Sequence, residues 1–310
     1  MKNFQSVFKK KFGEFLIPQG YNLRNGIFYK MEDDLFFFIH GKKNKKMASP
    51  LIASDYKPRL DFYALNPDIE ILIGFFPYCL DMTTPPNSYS YMPKENGEAL
   101  WKILRKLKPE KTSIEEFSKY YLELTEARDE ETAMRNIDRI CDEVKVLVLP
   151  YLNGLIDLET LYKEYIELII MPLPDCCYYN PDVEEVYKHN GVIYGLSLKL
   201  HKYENALIHV NRWVSVVNDN LEGSKKELAK LRNGDIGEGA RQILKKVPNF
   251  IELSINSAET SIVNCNNELR EWQTIKDALL ARDHAYIDNL VKANETKSRE
   301  HIRKLMEGEN

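Results

Sequence analysis

Gly26-Ile-Phe-Tyr-Lys-Met31, Glu32-Asp33-Asp34 and Leu35-Phe-Phe-Phe-Ile-His40 are the stretch that decides the fold. Two runs rich in aromatic and β-branched residues flank three carboxylates, and that composition reads as two antiparallel strands joined by a short acidic loop that stays in water. Upstream, Phe4, Phe8, Phe12 and Phe15 fall at spacings of four, four and three, so their rings share one stripe of a helix that Pro18 and Gly20 stop. Downstream, residues 59–65 and 70–76 repeat the strand composition between Pro and Asn-Pro boundaries, and residues 83–93, with Pro85-Pro86, read as a long loop. The pattern predicts an N-terminal helix on a four-stranded antiparallel sheet.

Composition then changes along the chain. All but Phe117 and Phe250 of the 13 Phe lie at or before Phe76. Beyond residue 110 the signals are helical: Ser113-Ile-Glu-Glu116 has the form of a capping box, residues 130–149 read as a helix closed by Pro150, and Asp157-Leu-Glu-Thr opens another that runs to Ile170. The proline-rich tract 171–181 divides the chain into an α+β domain over residues 1–172 and an all-α domain of helical hairpins over 182–310. In the second, residues 192–221 predict two helices with a tight turn at 200–203, followed by helices at 240–256, 258–281 and 284–306. The fold class is α+β, with trailing helices after the sheet and a helical-hairpin domain after those.

The 310 residues are enough for two cores, and 29% charged residues with a mean hydropathy of −0.44 exclude collagen-like and membrane-embedded chains. Residues 1–60 carry a net charge of +7, which leaves −11 on the remainder of a chain of net charge −4. Lys9-Lys10-Lys11 stands where a signal peptide needs its apolar core, so a cytoplasmic setting without membrane attachment is expected. The five cysteines, Cys79, Cys141, Cys176, Cys177 and Cys265, are odd in number and contain no CxxC pair, which argues against a disulfide framework and a zinc site.

Few residues invite chemistry. Asn233-Gly-Asp-Ile-Gly-Glu-Gly239 is glycine-rich, but Asp235 and Glu238 stand where an anion would sit and no Lys-Ser/Thr follows, so a hinge between helices is the better reading. No two histidines have the spacing of a helical metal site, and no metal or cofactor is expected. His201, with Glu204 and Arg212, forms a candidate polar cluster at the 200–203 turn, against the plainer reading of surface or capping histidines. Lys42, Lys43, Lys45 and Lys46 follow the Phe36–His40 strand. Four lysines beside aromatic residues could meet nucleic-acid phosphates; they also protect an edge strand and keep an aromatic sheet soluble. A nucleic-acid role predicts binding that falls steeply with salt and is lost on Lys→Glu at these positions, whereas the solvated loop predicts neither.

Two resemblances add to this. Lys10-Lys-Phe-Gly-Glu-Phe-Leu-Ile-Pro-Gln-Gly-Tyr21, Gly26-Ile-Phe-Tyr-Lys30, Val148-Leu-Pro-Tyr-Leu152 and Leu158-Glu-Thr-Leu161 resemble the bacterial family called domain of unknown function 4304. The resemblance implies a helix packed on an antiparallel sheet with trailing helices over about residues 1–170, and it brings no catalytic residues. Residues 193–207 resemble the turn of a tetratricopeptide-type hairpin, with Gly195, Tyr203 and Ala206 near that family's packing positions and a weaker copy at 278–290. One hairpin is short of the three or so that a solenoid needs. The expectation is a bacterial protein that binds another protein through its helical half; the alternatives are a nucleic-acid role for the basic run and an enzyme whose site is assembled from distant side chains.

Overall fold

A computed structural model describes residues 4–43, 69–79, 98–108, 114–126, 129–170, 190–235 and 249–307, together with Glu184, Tyr187 and Val247. The expected strand at 59–65, Ser113 of the capping box, the tract at 171–181 with Cys176 and Cys177, and Lys45 and Lys46 all lie outside the described residues. Helix α1 (Phe4–Leu16) ends in a 3-10 turn at Ile17–Gln19, where Gly20 adopts φ +85° and donates its amide to the Ile17 carbonyl, a conformation that costs glycine nothing. Strands β1 (Asn22–Arg24), β2 (Ile27–Met31), β3 (Leu35–Lys43), β4 (Ile69–Pro77) and β5 (Glu98–Ala99) form one antiparallel sheet in chain order. The antiparallel sheet is the one expected, with two short edge strands added among the described residues. The quoted hairpin pairs Ile27 with His40 through Met31 with Phe36 around the acidic loop, and β4 lies directly against β3.

The sheet's two central strands are buried on both faces, which is why they read as continuous apolar runs rather than alternating ones. The α1 stripe meets one face: the Phe8 ring lies 5.7 Å from that of Phe28 on β2, and a Cβ on Gly41 of β3 would come within 2.6 Å of Phe8. On β4, Gly74 is directly opposite Phe38, whose ring covers the glycine so closely that an added Cβ would fall inside it. Beyond its short pairing with β5, the β4 edge is closed by the Tyr165 hydroxyl, which donates to the Phe75 carbonyl.

The trailing helices are α2 (Leu100–Leu107), α3 (Ile114–Thr125), α4 (Glu130–Glu143), α5 (Leu149–Gly154) and α6 (Leu158–Ile170). Pro150 does not end the helix begun at Glu130, as its sequence predicts. A π-helical turn at Val144–Val148 carries the chain into α5, with the Leu149 amide reaching back to the Val144 carbonyl. The widened turn takes the proline, which lacks an amide and crowds the preceding turn of an ordinary α-helix. Asp129 caps α4 through the Thr132 amide, and Asp157 caps α6 through that of Thr160.

Among the described residues four further helices follow: α7 (Gly191–Lys199), α8 (Tyr203–Arg232), α9 (Phe250–Ala281) and α10 (His284–Glu307). Residues 240–246 of the expected helix at 240–256 lie outside the described residues; its break from the helix expected at 258–281 is absent, and one helix spans Phe250–Ala281 because no breaker interrupts the stretch around Ser257. Every residue of α7 from Gly191 to Leu198 is buried. The helix packs on β4, α6, α8 and α10 together. A helix apolar on all sides must be covered on all sides, and α7 obtains that cover from both halves of the chain. The buried hydrophobic residues accordingly form one cluster that runs from Phe4 to Met306.

The contact of Phe38 with Gly74 is a test of the sheet. Gly74→Ala overpacks a closed site and is expected to cost about 1–3 kcal/mol in urea unfolding. Adding Phe38→Leu should return part of that loss; an unchanged midpoint for Gly74→Ala would contradict the packing.

Candidate functional site

The helical half is organised by two turns built alike. After α7, the Lys202 amide bonds the Ser197 carbonyl and the His201 amide that of Leu198; after α9, the Asp283 amide bonds Ala278 and the Arg282 amide Leu279. These are the paired hydrogen bonds of a helix end with one left-handed residue, here His201 at φ 54° and Arg282 at φ 52°. The next helix then starts two residues later, at Tyr203 and at His284. The turn within the stretch expected at 278–290 thus repeats the paired hydrogen bonds of the first.

Side by side, the two turns bring their polar residues together. His201 Nε2 is 2.8 Å from Asp288 Oδ1, the Tyr203 hydroxyl is 2.7 Å from His284 Nδ1, and the two imidazole rings meet edge to face at 4.9 Å. Arg282 donates to Glu204 at 2.8 Å. Burial, with the Asp288 carboxylate adding to it, raises the Tyr203 pKa above the usual tyrosine range. The structure therefore gives His201 and Glu204 partners on α10 and on the second turn. Arg212 is not gathered with them: it is exposed on α8, about 12 Å further along the axis. The Arg282–Glu204 ion pair is exposed and of the kind that adds little stability. Among the described residues no group of three or more His, Cys, Asp or Glu could hold a metal ion, and no helix is long and apolar enough to cross a membrane.

Lys42 and Lys43 are the last two residues of β3, paired in register with Glu70 and Ile69. The strand runs three residues past His40, so these two lysines belong to the sheet and not to the loop the sequence suggests. Cys79, Cys141 and Cys265 are buried and free, and burial raises the Cys141 thiol to about 12.

Sequence reading missed the heptad repeat of α8 and α9. In α8, Leu207, Val214, Leu221 and Leu228 alternate with Tyr203, Val210, Val217, Ser224 and Leu231; in α9, Ile255, Ile262 and Leu269 alternate with Ile251, Ala258, Cys265, Trp272 and Leu279. All are buried or half-buried, and they form the seam of an antiparallel helical hairpin. The spacing of seven was the available signal, hidden because Ser224, Ala258 and Cys265 are not bulky. Near the turns, Tyr194 of α7 lies on one flank of this hairpin, stacked on His209 at 4.4 Å and against Trp272 at 5.8 Å. Nine residues of α7 span about 13 Å, against about 45 Å for the 30 residues of α8. The hairpin continues past α7 as an arm. Among the described residues, the same flank of its outer half carries a groove of about 800 Å³ lined by small residues such as Gly223, Ser254, Ser257 and Ser261, with Phe250 and Leu253 at one end.

No family model, curated protein or solved structure matches the chain.

Behind the arm, Lys199 at the end of α7 bonds Glu295 of α10 at 2.6 Å and stands 3.3 Å from Asp34 in the β2–β3 loop. Burial alone would lower this ammonium; the bonds and charges of Glu295 and Asp34 outweigh it and hold its pKa above the usual lysine value. Nearby, the Tyr78 ring lies under the Arg299 guanidinium at 4.2 Å, and burial raises its phenol to about 12 against the lowering effect of Arg299. Both groups keep their protons to higher pH folded than unfolded. Their stabilisation is complete below the unfolded values near 10 and is lost as pH rises through the folded ones. Stability should therefore hold up to about pH 9.5 and fall above about pH 10, with part of the tyrosine absorbance change at 295 nm delayed until unfolding. Titration of all 18 tyrosines near pH 10 with the circular dichroism intact would contradict this.

Proposed function

We propose that this chain is a non-catalytic protein-interaction module, with the helical half presenting the surface. The observation that carries the reading is the arm. Two helices of 30 and 32 residues extend past the element that anchors them, and one flank of their outer half is an open groove. Grooves between helices are a common means of receiving a partner helix, since the small residues at their floor let backbones come close. The chemistry around the two turns supports the same reading: the polar residues there pair with one another across the hairpins. This is a role in positioning.

The test is quantitative affinity capture with the whole chain against a variant altered in the groove. Ser257→Glu places a carboxylate at an exposed position of the groove and should reduce captured protein at least tenfold, with the circular dichroism unchanged. Equal capture by both forms, or no capture by either, would overturn the reading.

A further inference from the structure

The groove of the arm has a sign of charge. Among the described residues its lining holds two acidic side chains, Asp219 and Glu227, and no Lys, Arg or His. Both are exposed, and among the described residues neither pairs with a cation, although Glu222 between them on α8 bonds Lys225 and Glu259 on α9 bonds Arg232. A second hollow, which shares Ser257, Ser261 and Cys265 with the first, adds Glu268 and again no cation among the described residues. The carboxylates in the grooves are thus the ones left without a partner inside the fold.

Their order along the groove says what would complement them. The Ser224–Ser261 bond aligns the two helices, so Asp219 and Glu268 lie on its inner side, Glu227 just beyond it, and Phe250 with the 53% exposed Leu253 at the outer end. Asp219 and Glu227 are eight residues apart, about 12 Å along the axis, which is also the distance between residues eight apart on a helix laid beside α8. We propose that the groove receives a basic amphipathic helix of a partner protein, with Lys or Arg two turns apart facing Asp219 and Glu227 and apolar side chains on Phe250 and Leu253. The inference rests on the reading of the arm as the interaction surface and names the partner's chemistry. Gly223 and Ser257 leave room for the backbone of such a helix to come close, the apolar end supplies contact area, and the carboxylates set its charge and direction. The same carboxylates repel phosphate, so a nucleic acid does not fit the groove.

Fluorescence anisotropy of a labelled synthetic helix of Leu and Lys, about 15 residues or 22 Å long, titrated with the purified full chain, tests this. The peptide should bind saturably and more weakly as salt is added, and its counterpart with Glu in place of Lys should not bind. Asp219→Lys with Glu227→Lys should weaken binding at least tenfold. Glu222→Lys with Glu271→Lys makes the same change in net charge at exposed positions off the groove and should alter it less than twofold. No binding of the Leu/Lys peptide, or an equal loss in both double variants, would overturn the proposal. So would binding that appears only after Lys245→Glu with Lys246→Glu, since the chain's own basic residues would then be the occupant. If the peptide fails to bind while protein capture still depends on Ser257, the partner's charge is wrong and the interaction reading stands; a chain that captures nothing sinks both.

Discussion

Helix α7 has no polar face. Eight consecutive buried residues, Gly191 to Leu198, need apolar cover in every direction, and no single neighbouring element can give it. The rest of the structure follows from how that need is met. Strand β4, α6, α8 and α10 all pack against α7. Its polar groups bond locally: Asn190 accepts from the Val192 and Ile193 amides, and Ser197 donates its hydroxyl to the Ile193 carbonyl. Lys199 then ties the exit of the helix to Glu295 and Asp34, that is, to α10 and the β2–β3 loop at once.

That arrangement also sets what the arm can do. Covering only about 13 Å of the hairpin, α7 holds the proximal third rigidly through Tyr194, His209 and Trp272, whose rings form one stack of contacts. The distal part is left to its own seam, in which Ser224 and Ser261 share a hydroxyl hydrogen bond at 2.9 Å where bulkier residues would add burial. A seam of Ala258, Cys265 and Ser224 brings the two helices close but buries little, and among the described residues the flank beside it forms the groove. The groove is thus a consequence of the same small residues that hold the arm together.

The features legible in sequence were those set by local rules. The Phe4, Phe8, Phe12 and Phe15 stripe, the Ile27–His40 hairpin and the caps at Asp157 and Gly20 are each decided within a few residues, and each formed where spacing and side-chain chemistry placed it. What misled was context. Pro150 is a helix breaker only if the turn before it stays α, and the π turn at Val144–Val148 removes that condition. The run at Lys42 and Lys43 reads as loop by charge, yet pairing with β4 extends the strand through it. His201 and Glu204 lie close to one turn, and their partners, Asp288 and Arg282, lie about eighty residues on in sequence, where no local rule could connect them. The arm was the largest omission, since its heptads are in the sequence but are carried partly by Ser, Ala and Cys.

The central claim is that α7 couples the sheet to the helical hairpins in one cooperative core. Hydrogen exchange of Leu196→Ala measures it most directly, because Leu196 is fully buried in the middle of α7 and its truncation should cost about 2–5 kcal/mol. If the account holds, peptides from β4 and peptides from the base of α8 lose protection together, each exchanging at least about 30-fold faster. Faster exchange in the α8 peptides with the β4 peptides as protected as before would contradict it.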